Sequence, residues 1–517
     1  MLRVFQADLF DPDHFVVTLE LVPGHESTAR AVDVVMRIAR DAFADGRVSA
    51  VSMTDNPGGN PALSPDVLGY EIFKIGMDVI VHFTCRDSNR VGMESRALQL
   101  AMMGMKNILA LTGDYAGQGF GGRGAPVFDL DSVQLQILFS MLNERLEAGG
   151  DPDPFVSGCA VSPFKRTAAE SFSQYAKLCR KVGAGSRFVI TQLGYDIAKF
   201  SELKQVMAFM GLELPVLGSI YVLTPKAARI MNSGRVPGAV VPDALLRQIE
   251  MEWRTPADGR RAAVDRAARQ AAVLKGLGYK GIHIEGLHRS FETASRILDR
   301  MGRYEKEWRT LAGQVHYPQP GTYYAWPEGS GRPRFEQGTP KSGILEKAHY
   351  RLLSGAHDLM FNRHNRLAPT FQKLAARIDG SLGAKLVKDL FEDPLKGLLL
   401  GCRCCGDCAI QHVGFLCPES GCPKHMRNGA CGGSRNGCCE VFADQPCVWV
   451  RAYGRLAPAG MSNQMIEACV PPRMWELDQS SAWINYHLGR DHQGTDNAIA
   501  RSCRLHSCRL SADRNPA

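Results

Sequence analysis

At 517 residues, 45% apolar and 22% charged, the chain has the composition of a globular protein with room for more than one domain. The net charge of +8 is modest for the length and its Lys and Arg are dispersed, the nearest basic block being Arg501 to Arg509, so no nucleic-acid footprint is expected. No apolar run approaches the roughly 20 residues that cross a bilayer. Asp8, Asp11 and Asp13 stand where a secretory leader needs basic residues, so a cytoplasmic location is expected.

Short β-rich runs alternate with amphipathic stretches over the first three-fifths of the chain. Strands are predicted at Phe15–Leu21, Val48–Thr54, Asp78–Thr84, Asn107–Thr112, Phe155–Val161, Arg187–Gln192, Pro215–Tyr221 and Lys280–Glu285. Most are near-continuous apolar runs, the pattern of parallel strands buried on both faces. Helices are predicted between them at Ser27–Phe43, Asn89–Met103, Asp131–Leu146 and Thr167–Lys181, with an extra one near Pro242–Trp253. Such a series favours a closed eight-stranded β/α (TIM) barrel over residues 1–315. The competing open, doubly wound sheet is disfavoured because no Gly-x-Gly-x-x-Gly follows the first strand.

Residues 316–345 are rich in Pro and Gly and read as a linker. A smaller, cysteine-rich, metal-binding α+β domain is expected over 346–490, opening with helices at Lys347–Leu359 and Thr370–Leu382. A polar, Arg-rich tail over 491–517 is expected to be disordered. Of the 16 cysteines only Cys85, Cys159 and Cys179 precede residue 400. Cytosolic thiols stay reduced, so the later cluster reads as a metal site at 402–447 and not as a disulfide frame. Cys402, Cys404, Cys405 and Cys408 open it, and Cys405-x-x-Cys408 is a bite that suits zinc or an iron–sulfur cluster. With Cys417, Cys422, Cys431, Cys439 and Cys447 there are too many thiols for one tetrahedral site. Either two metals bind or some cysteines are spare, and thiolate ligands alone do not separate zinc from iron.

Chemistry in a β/α barrel sits at the C-terminal ends of the strands. Polar groups gather there from six predicted strands: Glu20, Thr54 with Asp55, His82 with Thr84, Thr112 to Asp114, Gln192, and Glu285 with Arg289. Any one of them has a bland reading as a cap or surface group. Glu20 is the sharpest, because it lies inside an apolar strand, where desolvation raises a carboxyl's pKa and lets it hold a proton near neutrality.

Leu19-Glu20-Leu21-Val22-Pro23, His82-Phe83-Thr84-Cys85, Leu111-Thr112-Gly113-Asp114, the strand ending Ile190-Thr191-Gln192, and Leu287-His288-Arg289 resemble, in order, the motifs of methylenetetrahydrofolate reductases. Cys417-Pro418, Cys422-Pro423-Lys424, Cys431-Gly432-Gly433 and Cys447-Val448-Trp449 resemble the C-terminal domain of that family, which also occurs as a partner subunit feeding electrons through metal centres. The resemblance implies a folate substrate, FAD across the barrel mouth and NAD(P)H as hydride donor, with ping-pong kinetics from one shared site. Glu20 would be the acid that protonates the folate nitrogen, and Asp114 would hydrogen-bond the pterin. Gln192 and Arg289 would hold substrate. Thr54 would lie near the nicotinamide, and His82, Thr112, Gly113, Phe128, Asp129 and Lys181 would touch FAD. A homo-oligomer or an electron-transfer partner is the expected company, and nucleic acid and membrane are not.

The chain departs from the family pattern at Asp55, at Gly158 or Cys159, at Ile220-Tyr221 and at Ala227, and carries a Gly-rich insertion from Gly117 to Gly124. Two other readings stand beside the reductase: an electron-transfer or scaffold protein with an inactive barrel, and a pterin-dependent methyltransferase on the same fold.

Overall fold

The computed structural model describes residues 4–24, 29–151, 153–327, 329–335, 343–467 and 469–494. Eight parallel strands close into a barrel: β1 (Val16–Leu21), β2 (Ala50–Met53), β3 (Val79–Thr84), β4 (Asn107–Leu111), β5 (Val156–Val161), β6 (Phe188–Thr191), β7 (Val216–Tyr221) and β8 (Gly281–Glu285). Each pairs with its neighbours in sequence, and β8 returns to β1 with Leu19 opposite Ile284. The closed barrel is the expected fold, and the strands lie within the predicted runs, trimmed at their ends where hydrogen bonding stops. Helices Pro65–Lys74, Ile197–Phe209, Pro225–Asn232, Pro256–Gly276 and Glu292–Tyr304 join the predicted set around the barrel. Ser64, Asn89, Asp131, Thr167, Asp196, Thr224 and Thr255 cap helices by accepting from backbone amides of the first turn.

Alternation along the strands sorts the barrel interior into layers. The floor is apolar, with Val16, Ala50, Ile80, Leu109, Val156, Phe188 and Leu217 packed together. Helix Val4–Phe10 plugs it from below with Phe5 and Leu9, the Phe5 ring meeting Phe188 edge-on at 5.5 Å. Two residues up, on β1, β2, β3, β7 and β8, the layer turns polar. Thr18 Oγ1 lies 2.8 Å from His283 Nδ1, and Ser52 Oγ lies 3.4 Å from His283 Nε2 and 3.2 Å from His82 Nε2. Two residues higher come Glu20, Thr54, Thr84, Tyr221 and Glu285, which form the mouth.

Of the expected linker, residues 317–327 and 329–335 make contacts with the barrel. Tyr317 N donates to Tyr195 O, Tyr324 Oη donates to Asp196, and Ala325 N donates to the buried Glu202. Phe335 is buried against Phe172 and Tyr453, so the segment joins barrel to cap as a wedge between them.

After helices Ile344–Met360, Ala368–Ile378 and Asp393–Leu400 the chain forms irregular loops around helix Val448–Leu456, which packs on helix Ala168–Gly183. That barrel helix is consequently buried from residue 168 through 181. Of the expected tail, residues 491–494 are described and Asp491 and His492 are buried, while 495–517 lies outside the described residues. No described helix is long and apolar enough to cross a membrane.

Candidate active site and thiolate cages

The mouth brings two carboxyls together. Glu20 and Glu285 follow the paired residues Leu19 and Ile284 on adjacent strands, and both lie in line with the inward-facing Thr18 and His283. Burial pushes Glu20 up from 4.5 to about 7. Glu285 is pushed well above the ordinary carboxylate range, first by burial and then by the Glu20 charge, against a hydrogen bond with Ser219. Below them burial pulls His82 down to about 4 and His283 to about 3, so both imidazoles are neutral and offer no cation to ionise the carboxyls. Tyr221 stands beside the pair, its phenol pushed up to about 12 by burial and by both glutamates, 3.4 Å from His288 Nε2.

On the β2–β4 side, Asp114 Oδ2 accepts from Gly58 N at 3.1 Å. Gly113 holds φ 87°, and a Cβ there would stand 3.1 Å from Thr84 Cβ, so the turn requires glycine. Thr54 Oγ1 is buried with no hydrogen-bond partner. Asp55, a departure from the family pattern, accepts from the Thr84 amide and hydroxyl and from Arg96, and so braces this rim. Gln192 is half-buried, its Oε1 accepting from Leu193 N, and Arg289 is exposed beyond β8.

Other residues expected around the flavin are engaged within the protein. Thr112 Oγ1 bonds Ser132 Oγ at 3.2 Å. Asp129 accepts from Arg90 and, at 2.7 Å, from Trp475 Nε1 of the cap. Lys181 Nζ donates to Ala160 O at 2.7 Å, and burial pulls it down to about 8. Phe128, at φ 44°, is buried beneath Lys424. The cap covers this side of the rim, which motif matching along the barrel alone does not reveal.

Lys424 is the deepest of these contacts. Its Nζ donates to Gly113 O at 2.8 Å and pairs with Glu440. Burial pulls its pKa down, but Cys431, Glu440 and Asp114 more than offset this and hold it protonated. Asn428 donates twice to Asp131, the cap of the helix that follows β4, at 2.9 and 3.0 Å.

The cysteines fall into two sets. Cys402, Cys404, Cys405, Cys408 and Cys417 line one hollow with Lys396 and Glu392, and Cys422, Cys431, Cys439 and Cys447 line another with Lys424 and Glu440. Burial pushes the thiols of the first set upward, and Cys402, Cys405 and Cys417 each feel another cysteine of that set. Cys422 and Cys447 of the second set do the same. Lys396 faces the first set and Lys424 the second, each placing a cation against potential thiolates. Cys402 and Cys404, absent from the expected ligand list, also line the first hollow, and Cys438 pairs through its backbone with Arg435 and Pro446 instead. Cys179 and Cys469 are disulfide-bonded, contrary to the expectation that thiols here stay reduced.

Among the described residues no three cysteines bring their sulfurs within 4.8 Å of one another; the group that does converge is Asp407, Asp491 and His492. Tetrahedral bonds of about 2.3 Å would set zinc-bound sulfurs about 3.8 Å apart. Asp407 is already paired, with Arg427 at 2.7 Å and His492 Nδ1 at 2.6 Å, so that group is an ion-pair knot under the first cage.

Fold and site together define a β/α-barrel protein with a proton-holding mouth and a cysteine-rich cap. The family model described as methylenetetrahydrofolate reductase matches residues 7–302, and the one described as methylene-tetrahydrofolate reductase C terminal matches residues 388–476. The first spans more than half of the chain, which therefore belongs to the methylenetetrahydrofolate reductase family.

A Caenorhabditis elegans protein named probable methylenetetrahydrofolate reductase (NADPH) is 26% identical over 185 residues, 34% of this chain and 26% of its own length. Methylenetetrahydrofolate reductase 1 of Schizosaccharomyces pombe is 25% identical over 179 residues, 34% of this chain and 28% of its own length. The matched part thus spans about a quarter of these curated relatives. A solved structure of an uncharacterized Clostridium thermocellum protein, described as binding two copies of 5-methyl-5,6,7,8-tetrahydrofolic acid, aligns with a TM-score of 0.40 at 10% identity, over 59% of this chain and 99% of its own.

Proposed function

We propose that the chain interconverts 5,10-methylenetetrahydrofolate and 5-methyltetrahydrofolate, with NAD(P)H as hydride donor and a bound flavin, expected as FAD, in the barrel mouth. The observation that carries this reading is Glu20, a desolvated carboxyl poised near neutrality in the mouth of a barrel of this family. The rim between β1 and β4 offers polar groups to a flat ring system: among the described residues Thr54 has an unsatisfied hydroxyl, and Asp114 accepts from Gly58 N through Oδ2 and turns Oδ1 free for a ring donor. Thr54, His82, Gly113 and Asp114 would hold the flavin, whereas Thr112, Phe128, Asp129 and Lys181 are covered or engaged by contacts of the protein itself. When bound, the flavin supplies hydride transfer between nicotinamide and folate.

The remaining work belongs to the chain. Glu20 holds a proton and delivers it to the folate nitrogen that leaves when the methylene bridge opens. Asp114 accepts a hydrogen bond from the pterin, and Gln192 and Arg289 orient the substrate. The cap seals the β4–β5 side of the mouth and excludes water there.

The test is Glu20→Gln with the half-reactions followed separately. Flavin reduction by NAD(P)H stays within about twofold, and folate reduction falls by about 100-fold or more, the usual worth of a positioned acid. An equal fall in both defeats the acid role.

Each cysteine-lined hollow offers enough thiols for a zinc ion or an iron–sulfur cluster. Cys402, Cys405, Cys408 and Cys417 would hold the metal of one hollow, and Cys422, Cys431, Cys439 and Cys447 that of the other. The Lys424 bridge sets the second cage against the flavin side of the mouth. Iron and zinc analysis of anaerobically purified protein decides the metal.

A further inference from the structure

Glu20 has an acidic neighbour that its assigned role leaves unexplained. β8 closes on β1 with Leu19 opposite Ile284, so the next residues on the two strands, Glu20 and Glu285, share a rung. Adjacent strands lie about 4.8 Å apart. The Thr18–His283 hydrogen bond, two residues below, fixes the inward direction of both strands.

The groups facing Glu285 can be named strand by strand. From β1 comes Glu20, from β7 the Ser219 hydroxyl and the Tyr221 phenol, and from the loop after β6 the buried Tyr195. From β8 itself comes neutral His283 below, with His288 and exposed Arg289 beyond the strand end. The buried cation on this side, Arg266, is paired with Glu252. Two desolvated carboxyls on one rung, with no cation paired to either among the described residues, cannot both ionise cheaply. The stable arrangement keeps at least one proton between them.

We propose that Glu285 is a positioning residue for Glu20, the two adjacent carboxyls forming a proton-sharing pair that keeps Glu20 in its acid form. This deepens the reductase reading and rests on it. In the step itself Glu20 gives its proton to the departing folate nitrogen and becomes a carboxylate. That proton is the one the pair shared, and the pair regains it from water at the open mouth. Charge and protons balance: one proton goes to substrate and one returns from solvent.

The first test uses flavin-free protein and no turnover. Infrared difference spectra between wild type and Glu20→Gln isolate the protonated-carboxyl band of Glu20, and the same difference is taken in a Glu285→Gln background. The midpoint at which the band disappears falls by about one pH unit or more in that background, and Glu285→Asp restores it. In the loaded enzyme, the pH limb of the folate half-reaction moves in the same direction. The rate at pH 8 falls about tenfold, while flavin reduction is unchanged.

An unmoved band and limb in Glu285→Gln overturn the pairing, as does an equal loss in both half-reactions. If Glu285→Gln does not fold, Glu285→Asp and Tyr221→Phe decide: the pair predicts a near-normal midpoint in each, and a midpoint moved further by Tyr221→Phe than by Glu285→Asp overturns it. Intact folate reduction in Glu20→Gln is a different result, one that sinks the acid reading whatever Glu285 does.

Discussion

Replacing Arg427 with methionine tests whether charge holds the first cage in place. Arg427 is 3% exposed and its Nη1 lies 2.7 Å from Asp407, which is fully buried. Its Nε lies 3.1 Å from Glu419, and its Nη2 donates to the Asp407 carbonyl. Asp407 sits between Cys405 and Cys408, so this knot fixes the loop that presents both thiols. Removing one partner of a buried ion pair costs about 3–5 kcal/mol, because the other charge is stranded. His492 still bonds Asp407, which places the expected loss toward the lower figure.

The same geometry sets the pH dependence. Burial alone would raise Asp407, but the His492 hydrogen bond and the Arg427 charge overcome it and hold the carboxyl far below its ordinary 3.8. Stability from a depressed carboxyl is present above the ordinary pKa and lost as pH falls through the folded one. The deficit of Arg427→Met is therefore full at pH 7 and shrinks as the medium drops below about pH 4, where the stranded Asp407 protonates. Denaturant unfolding at pH 7 and pH 4, with iron content measured alongside, follows both effects. Adding Asp407→Asn to Arg427→Met recovers about 2 kcal/mol by removing the stranded charge. A loss under about 1 kcal/mol at pH 7, or a deficit that grows in acid, refutes the reasoning.

Serine at Cys405 or at Cys439 should each empty one hollow and leave the other, halving the zinc or iron bound per chain; loss of all metal from either change would contradict two independent sites. Glu20 carries a raised pKa, so its contribution to stability is full below 4.5 and is lost as pH rises through about 7. Glu20→Gln should thus gain on wild type between pH 5 and pH 8 by up to about 3 kcal/mol, read from unfolding at each pH. Lys424→Met leaves Glu440 buried without its cation and should cost about 3 kcal/mol or more, with faster hydrogen exchange in the Gly113 turn as the local sign.

The barrel was legible because its strands are apolar on both faces, leaving Glu20 conspicuous inside one of them. The clustering of the cysteines was legible in the sequence, but their division between two hollows was not. Cys417 and Cys422 are five residues apart in the chain and face different hollows, a separation made by the short helix Pro418–Gly421 and its flanking turns. Glu285 was visible as a rim residue, whereas its pairing with Glu20 exists only once β8 closes on β1. Phe128, Asp129 and Lys181 were placed by motif, and what motif cannot carry is the cap, whose Trp475 and Lys424 meet two of them. The Pro- and Gly-rich stretch looked like a tether because composition says nothing of Phe335 finding a slot between Phe172 and Tyr453.

The Asn428–Asp131 and Lys424–Gly113 contacts make the cap part of the barrel's wall. Severing the chain between the two halves would leave a barrel whose catalytic rim is gapped and a cap with its inner face bare. Continuity of the polypeptide fixes their ratio at one to one, so every barrel mouth is made with its own pair of cysteine-lined hollows beside it.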